Sequence, residues 1–288
     1  MSNFDQAVVA VVDGDIARLR QLLDADPGLA TARSAADHQA TLLHYVAANG
    51  VEDELQRTPP NAVEVAELLF AHGANPNATA EFYGGGPNST PLVSLVTSSH
   101  PHSAGLHEPL IDLFCQNGAS PNGLNDDGYP LLSALAFFYP KAAMALHRNG
   151  ARTDNLVAAS AMGDATTLVK LWGMRETPAA IAGPIAKVVH LAATTETVTG
   201  LALTYGALCG QLGSVEFLLR QGVAVDNGPF HGQTALHYAA YAGNEQIVRF
   251  LLANGADMSI RDRQFKGLPA GWAAVAGHDE LAGLLAHN

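Results

Sequence analysis

A glycine that closes an apolar helix returns along this chain and limits what it can fold into. It stands at Gly73 (GANPN), Gly118 (GASPN), Gly150 (GARTD), Gly222 (GVAVD) and Gly255 (GADMS), at separations of 45, 32, 72 and 33 residues. The longest gap holds one further, degenerate unit. A period of about 33 residues marks small helical units stacked in a row. Each unit is too small to bury its own apolar face, so it must hide that face on its neighbours.

The clearest unit runs QTALHYAAYAG from Gln233 to Gly243 and then NEQIVRFLLANGAD from Asn244 to Asp257. Thr234 is placed to cap a first short helix. Ala239 and Ala240 allow close helix approach, and Gly243 and Gly255 suit left-handed helix ends. This pattern of a TPLH-like turn, an AA-x-x-G helix end, an E-x-V-V-x-x-LL helix and GAD resembles the ankyrin repeat. The resemblance covers nearly the whole chain. It implies an all-α ankyrin-repeat solenoid of about eight helix–turn–helix units with short hairpin fingers. HYVAANGVE, TPPNAVE, YGGG and SSHPHSAG further resemble a bacterial, stand-alone type of array. A single domain over 1–288 is expected, with an N-terminal cap at 3–36 and repeats at 37–79, 80–124, 125–154, 155–197, 198–227 and 228–261. A C-terminal cap at 262–288 ends the stack.

Composition narrows the partners. The chain has 27 acidic against 15 basic residues, a formal net charge of −12, and only four lysines. A nucleic-acid grip needs clustered Lys and Arg, so none is expected, nor is a grip on an anionic membrane. The acidic balance points to a neutral or basic protein partner. No apolar run reaches the length of a membrane span, and the opening MSNFDQAVVAVVDGD lacks the basic start of a signal peptide. Cys115 and Cys209 fit reduced thiols. Together these predict a cytoplasmic protein.

The places where the repeat breaks are where a site is sought. From first-helix turn to closing glycine, Pro130–Gly150 and Ala235–Gly255 both span 20 residues. The second repeat needs 31, through an insertion over 51–61, and the third needs 27, through one near 100–106. The finger at 80–90 is enlarged. Residues 177–195 are surplus between the fifth and sixth units, and Ile181, Ile185, Val188 and Val189 have helical spacing. They read as an extra helix that either closes a concave groove or replaces weak packing around the fifth unit.

In ankyrin stacks the first helices and fingers line the concave face. The residue after the TPLH-type turn is expected to point there, which gives Tyr45, Ser94, Ser133, Tyr205, Tyr238 and Trp272. One turn on, the column holds Thr97, Tyr241 and Val275. Tyr83 and Asn88 of the enlarged finger join this binding face. Aromatic residues at both ends suit a binding surface.

A second polar cluster gathers in the insertions: Glu52, Asn61, His100, His102, His107 and Glu108. His-x-His followed by His-Glu offers metal-ligand types, but its spacing matches no metal motif, and no metal or cofactor is expected. His44 and His237 occupy the structural histidine of the TPLH-like turn. Gly84–Gly86 lacks the Lys-Ser/Thr of a phosphate loop. No catalytic residue is assigned. The expected function is a protein-interaction module that takes a partner on its concave face and fingers. The alternative is a small-molecule-binding protein or enzyme, with a pocket closed by the finger 80–90 and the helix near 177–195.

Overall fold

A computed structural model describes residues 2–82 and 85–287, apart from the side chains of Ala179, Ala186 and His287. The described residues form helices and turns with no strand. The chain divides into two compact units, Met1–Ala151 and Arg152–Asn288.

The first unit holds four helical hairpins in chain order. They are α1 (Asn3–Asp13) with α2 (Ile16–Ala25), α3 (Leu42–Ala47) with α4 (Ala62–Ala71), α5 (Pro91–Val96) with α7 (His107–Gln116), and α8 (Tyr129–Ala136) with α9 (Pro140–Arg148). A short α6 (Ser99–Ser103) lies between α5 and α7. First helices pack in the series α1, α3, α5, α8, and second helices in the series α2, α4, α7, α9. Contacts therefore run from each hairpin to the next, which is solenoid order.

The second unit repeats this plan. Its hairpins are α10 (Leu156–Ala161) with α11 (Ala165–Trp172), α14 (Thr195–Leu208) with α15 (Leu212–Arg220), α16 (Ala235–Tyr241) with α17 (Glu245–Ala253), and α18 (Pro269–Val275) with α19 (Asp279–His287). Here α10, α14, α16 and α18 pack in series, as do α11, α15 and α17.

Short first helices need this stacking. Helices under about 12 residues barely form alone in water, and α3 has six residues, every one of them buried. Its start is fixed by a box in which the Thr41 N–H donates to His44 Nδ1 at 3.1 Å. Since Nδ1 accepts, the proton sits on Nε2, which donates to the Ser89 carbonyl at 3.0 Å and so pins the next finger. His237 does the same for Thr234 N–H and the Gly267 carbonyl. Both histidines are structural.

The surplus segment resolves into α12 (Pro178–Ala182) and α13 (Ile185–Val188), split at Gly183-Pro184. Ile181, Ile185 and Val189 are buried, and α12 packs on α10 and α14. Of the two readings of this segment, its contacts favour the packing role. The inserted loop near 100–106 is likewise partly helical, as α6.

Candidate interaction surface

The column read as the floor of a groove is largely interior. Tyr45, Ser94, Ser133, Tyr205 and Tyr238 are all buried, and Trp272 retains 8 % exposure. The reason is geometric. A first helix packs on the neighbouring first helices of its own unit and on its own second helix, so its middle positions face other helices. Tyr205 and Tyr238 meet edge to face across two adjacent helices, with ring centroids 5.5 Å apart. The phenol of Tyr238 donates to Gln233 Oε1 at 3.1 Å. Burial pushes Tyr205 far above the ordinary phenol range. These tyrosines are core residues.

Exposure begins one turn later. Tyr241 is half-buried and Val275 is 87 % exposed. Around them the second unit gathers rings from the fingers. Phe265, 64 % exposed, lies 6.2 Å from Trp272, and Trp272 lies 6.1 Å from Tyr241. In the preceding finger Phe230 packs on the exposed His231 at 4.4 Å. The Arg263 N–H donates to the His231 carbonyl at 2.7 Å and ties the two fingers together.

The last finger is held by one carboxylate. Asp262 is fully buried and accepts from the N–H groups of Gln264, Phe265 and Gly267 at 2.6–2.9 Å and from the Trp272 indole at 3.1 Å. Burial alone raises its carboxyl, but these donors outweigh it and hold Asp262 below the usual carboxylate range. Arg261, Arg263 and Lys266 are exposed around it. This finger is therefore locally basic in an acidic chain.

The first unit joins Glu52 of the second polar cluster to Tyr45 of the expected binding face. Tyr45 donates its hydroxyl to Glu52 Oε2 at 3.1 Å, and His38 Nε2 faces Glu52 Oε1 at 3.3 Å. His38 Nδ1 accepts from the Ala40 N–H at 3.0 Å, which leaves the proton on Nε2, toward Glu52. Burial pushes Tyr45 up to about 12. Burial works to raise Glu52 as well, but its own backbone N–H, Tyr45 and His38 keep it ionised. Asn61 stands apart and donates to the Gly14 carbonyl at 2.9 Å, a brace between two helix turns. Asn88 ends a 3-10 turn, and Tyr83 lies outside the described residues.

His102 and His107 meet at a ring distance of 5.4 Å, with Tyr139 stacked on His102 at 4.4 Å. His107 donates from Nε2 to the Ser98 carbonyl at 3.0 Å, and burial pushes it down to about 4. Glu108 faces Arg148 at 3.7 Å. His100 sits on α6 and completes no ligand set: among the described residues, no three His, Cys, Asp or Glu gather as a metal site. A cavity of about 120 Å³ lies between α11 and α15, lined by Leu168, Val169, Gln211, Ser214 and Phe217. Small-molecule pockets run to about 300–1,000 Å³, so this one takes a single small group at most.

Sequence reasoning missed His38, Phe230, His231 and Phe265. For Phe265 the signal was present: a bulky apolar residue in RDRQFKG, at a finger where polar residues are expected.

The ankyrin-repeat family model, which describes three copies of the repeat, matches residues 179–262 and 203–288. Residues 179–288 of the chain therefore carry ankyrin repeats. It is similar to the E3 ubiquitin-protein ligase KEG of Arabidopsis thaliana, 26 % identical over 96 % of this chain. It is also similar to the inactive serine/threonine-protein kinase TEX14 of Mus musculus and to protein PhlB of Serratia liquefaciens, each 36 % identical over 27 % of this chain. The chain spans 18 %, 5 % and 34 % of those proteins. The relatives come from a plant, a mammal and a bacterium, and so single out no lineage. Among the described residues no helix is long and apolar enough to cross a membrane.

Proposed function

We propose that this ankyrin-repeat protein is a protein-interaction module that takes a partner segment on the fingers and first-helix ends of its second unit. The observation that carries this is the exposure of Phe265 and Val275 on either side of Trp272. Solvent-exposed apolar residues grouped around an aromatic anchor mark contact surfaces. The finger supplies the charge preference. Arg261, Arg263 and Lys266 surround Phe265, so the local field favours an acidic partner segment, against the expectation from net charge alone. In this reading Tyr241 contributes from the edge of the surface, and the buried Trp272 supports it from behind. The buried Tyr45, Ser94, Ser133, Tyr205 and Tyr238 position the helices that carry such surfaces.

The test places a photo-crosslinking amino acid at position 265 and, separately, at position 216 on the outer helix α15. A protein crosslinked from 265 and not from 216, and lost on Val275→Asp, supports the reading. Equal capture from both positions, or none from 265, overturns it.

A further inference from the structure

In five hairpins the turn between first and second helices shares one backbone design. Its key residue is left-handed and is a glycine at Gly14, Gly163, Gly210, Gly243 and Gly277, with φ between 69° and 81°. At the same place between α8 and α9 stands Phe138, with φ 62°. Its hydrogen bonds are those of the glycine turns. The Phe138 N–H donates to the Leu135 carbonyl and the Tyr139 N–H to the Ala134 carbonyl, both at 2.9 Å, as the Gly243 and Asn244 N–H groups do to Ala240 and Ala239. Bulky L-residues rarely adopt this conformation, and strain of this kind collects at functional positions. The glycine turns show that the hairpin closes without a side chain there.

The strained turn displays apolar surface. Phe137 is 51 % exposed. On α9, Lys141 is exposed and Met144, one turn further, is 37 % exposed. Lys141 has no ion-pair partner among the described residues. Tyr139 backs the patch by stacking on His102, whose protonation is disfavoured first by burial and then by the charge of Lys141. In a chain of net charge −12, an exposed cation here stands between exposed apolar residues four positions before it and three after it.

We propose that the α8–α9 turn is a docking site for an acidic peptide segment with an aromatic or aliphatic anchor. The anchor packs on Phe137 and Met144, and a carboxylate close to it in sequence meets Lys141. Phe138 is the residue whose strain the site retains. This surface belongs to the first unit and does not depend on the reading given for the Phe265 face.

The test pans a random 12-residue phage-displayed peptide library on the full chain, alongside thermal unfolding. The expected peptides place an apolar residue within a few positions of Asp or Glu. Their affinity falls at least tenfold on Phe137→Ala and on Lys141→Glu and is unchanged on Phe265→Ala. Phe138→Gly is expected to weaken the same peptides, with a thermal unfolding transition that shows the variant folded. Three results each overturn the proposal: no enriched peptide; binding indifferent to Phe137→Ala and Lys141→Glu; or sedimentation showing self-association that Phe137→Ala abolishes, which gives the face to a second copy.

Discussion

The indole N–H of Trp272 donates to Asp262 Oδ2 at 3.1 Å, so a first helix and the finger before it share one buried carboxylate. That carboxylate also gathers three backbone N–H groups of the finger that carries Phe265. Removing it strands buried donors, each costing about 1–3 kcal/mol, less where water enters. Asp262→Ala is expected to lower unfolding free energy by about 2–4 kcal/mol. Asp262→Asn keeps the shape but offers one acceptor oxygen in place of two, and should fall between. Urea unfolding followed by tryptophan fluorescence reads both. An Asp262→Ala midpoint within error of the parent contradicts the brace.

The helices α12 and α13 give a second test. Ile181 and Ile185 have no exposed surface, and α12 rests on α10 and α14. Truncating a buried isoleucine typically costs about 2–5 kcal/mol. Ile185→Ala is therefore expected to destabilise the protein by an amount in that range. A segment that only covered a ligand groove would leave the urea midpoint of Ile185→Ala where it was.

The repeat plan was legible because it is written in local signals: glycines with positive φ, the Thr-x-x-His box and the alanine pairs. Each acts within a few residues, so spacing alone finds it. The inside-or-outside assignment of Tyr45, Tyr205 and Tyr238 was not legible. A hydrophobic residue on a short helix looks the same whether a partner or the next repeat covers it, and only the stacking of α14 on α16 decides for Tyr205. The Glu52 site was half legible. Tyr45 and Glu52 were both named, but His38 enters from a loop seven residues before Tyr45, with no periodicity to announce it. Phe138 was hidden for the opposite reason, since an aromatic residue reads as core unless the turn it occupies is compared with its glycine counterparts.

Two glycines separate steric need from backbone need. A Cβ on Gly228 would lie 2.7 Å from the Gly232 carbonyl carbon and 2.9 Å from that of Gln233, both backbone atoms that cannot swing away. A Cβ on Gly255 would meet nothing within 4 Å, but its φ is 84°. Gly255→Ala should thus cost only the left-handed penalty, about 1–2 kcal/mol. Gly228→Ala should cost more than 2 kcal/mol, because the finger backbone must shift. Equal costs for the two, measured by urea midpoints, contradict this division.

Acid should unfold the protein through its buried imidazoles. Burial pushes His44 down to about 4, against the pull of its bond to the Ser89 carbonyl, and pushes His107 to about 4, with His102 adding to the effect. His237 is lowered as well, burial being the main cause. A free histidine titrates near 6.5, so between about pH 6.5 and 4 the unfolded chain binds protons that the folded chain refuses. Stability then rises with pH across that window. It is complete above about 6.5 and falls steadily toward pH 4, by about 3 kcal/mol for each of His44 and His107. Urea midpoints from pH 4.5 to 8 should climb and then level near neutrality. His44→Gln lowers the plateau, because the Ser89 and Thr41 bonds go, but it should also flatten the climb, since one titrating group is gone. A variant curve parallel to the parent at every pH contradicts the assignment of the climb to His44, and Asp262 does not account for it. That group's lowered pKa places its own contribution at lower pH, to be lost only as pH falls below the ordinary carboxylate range.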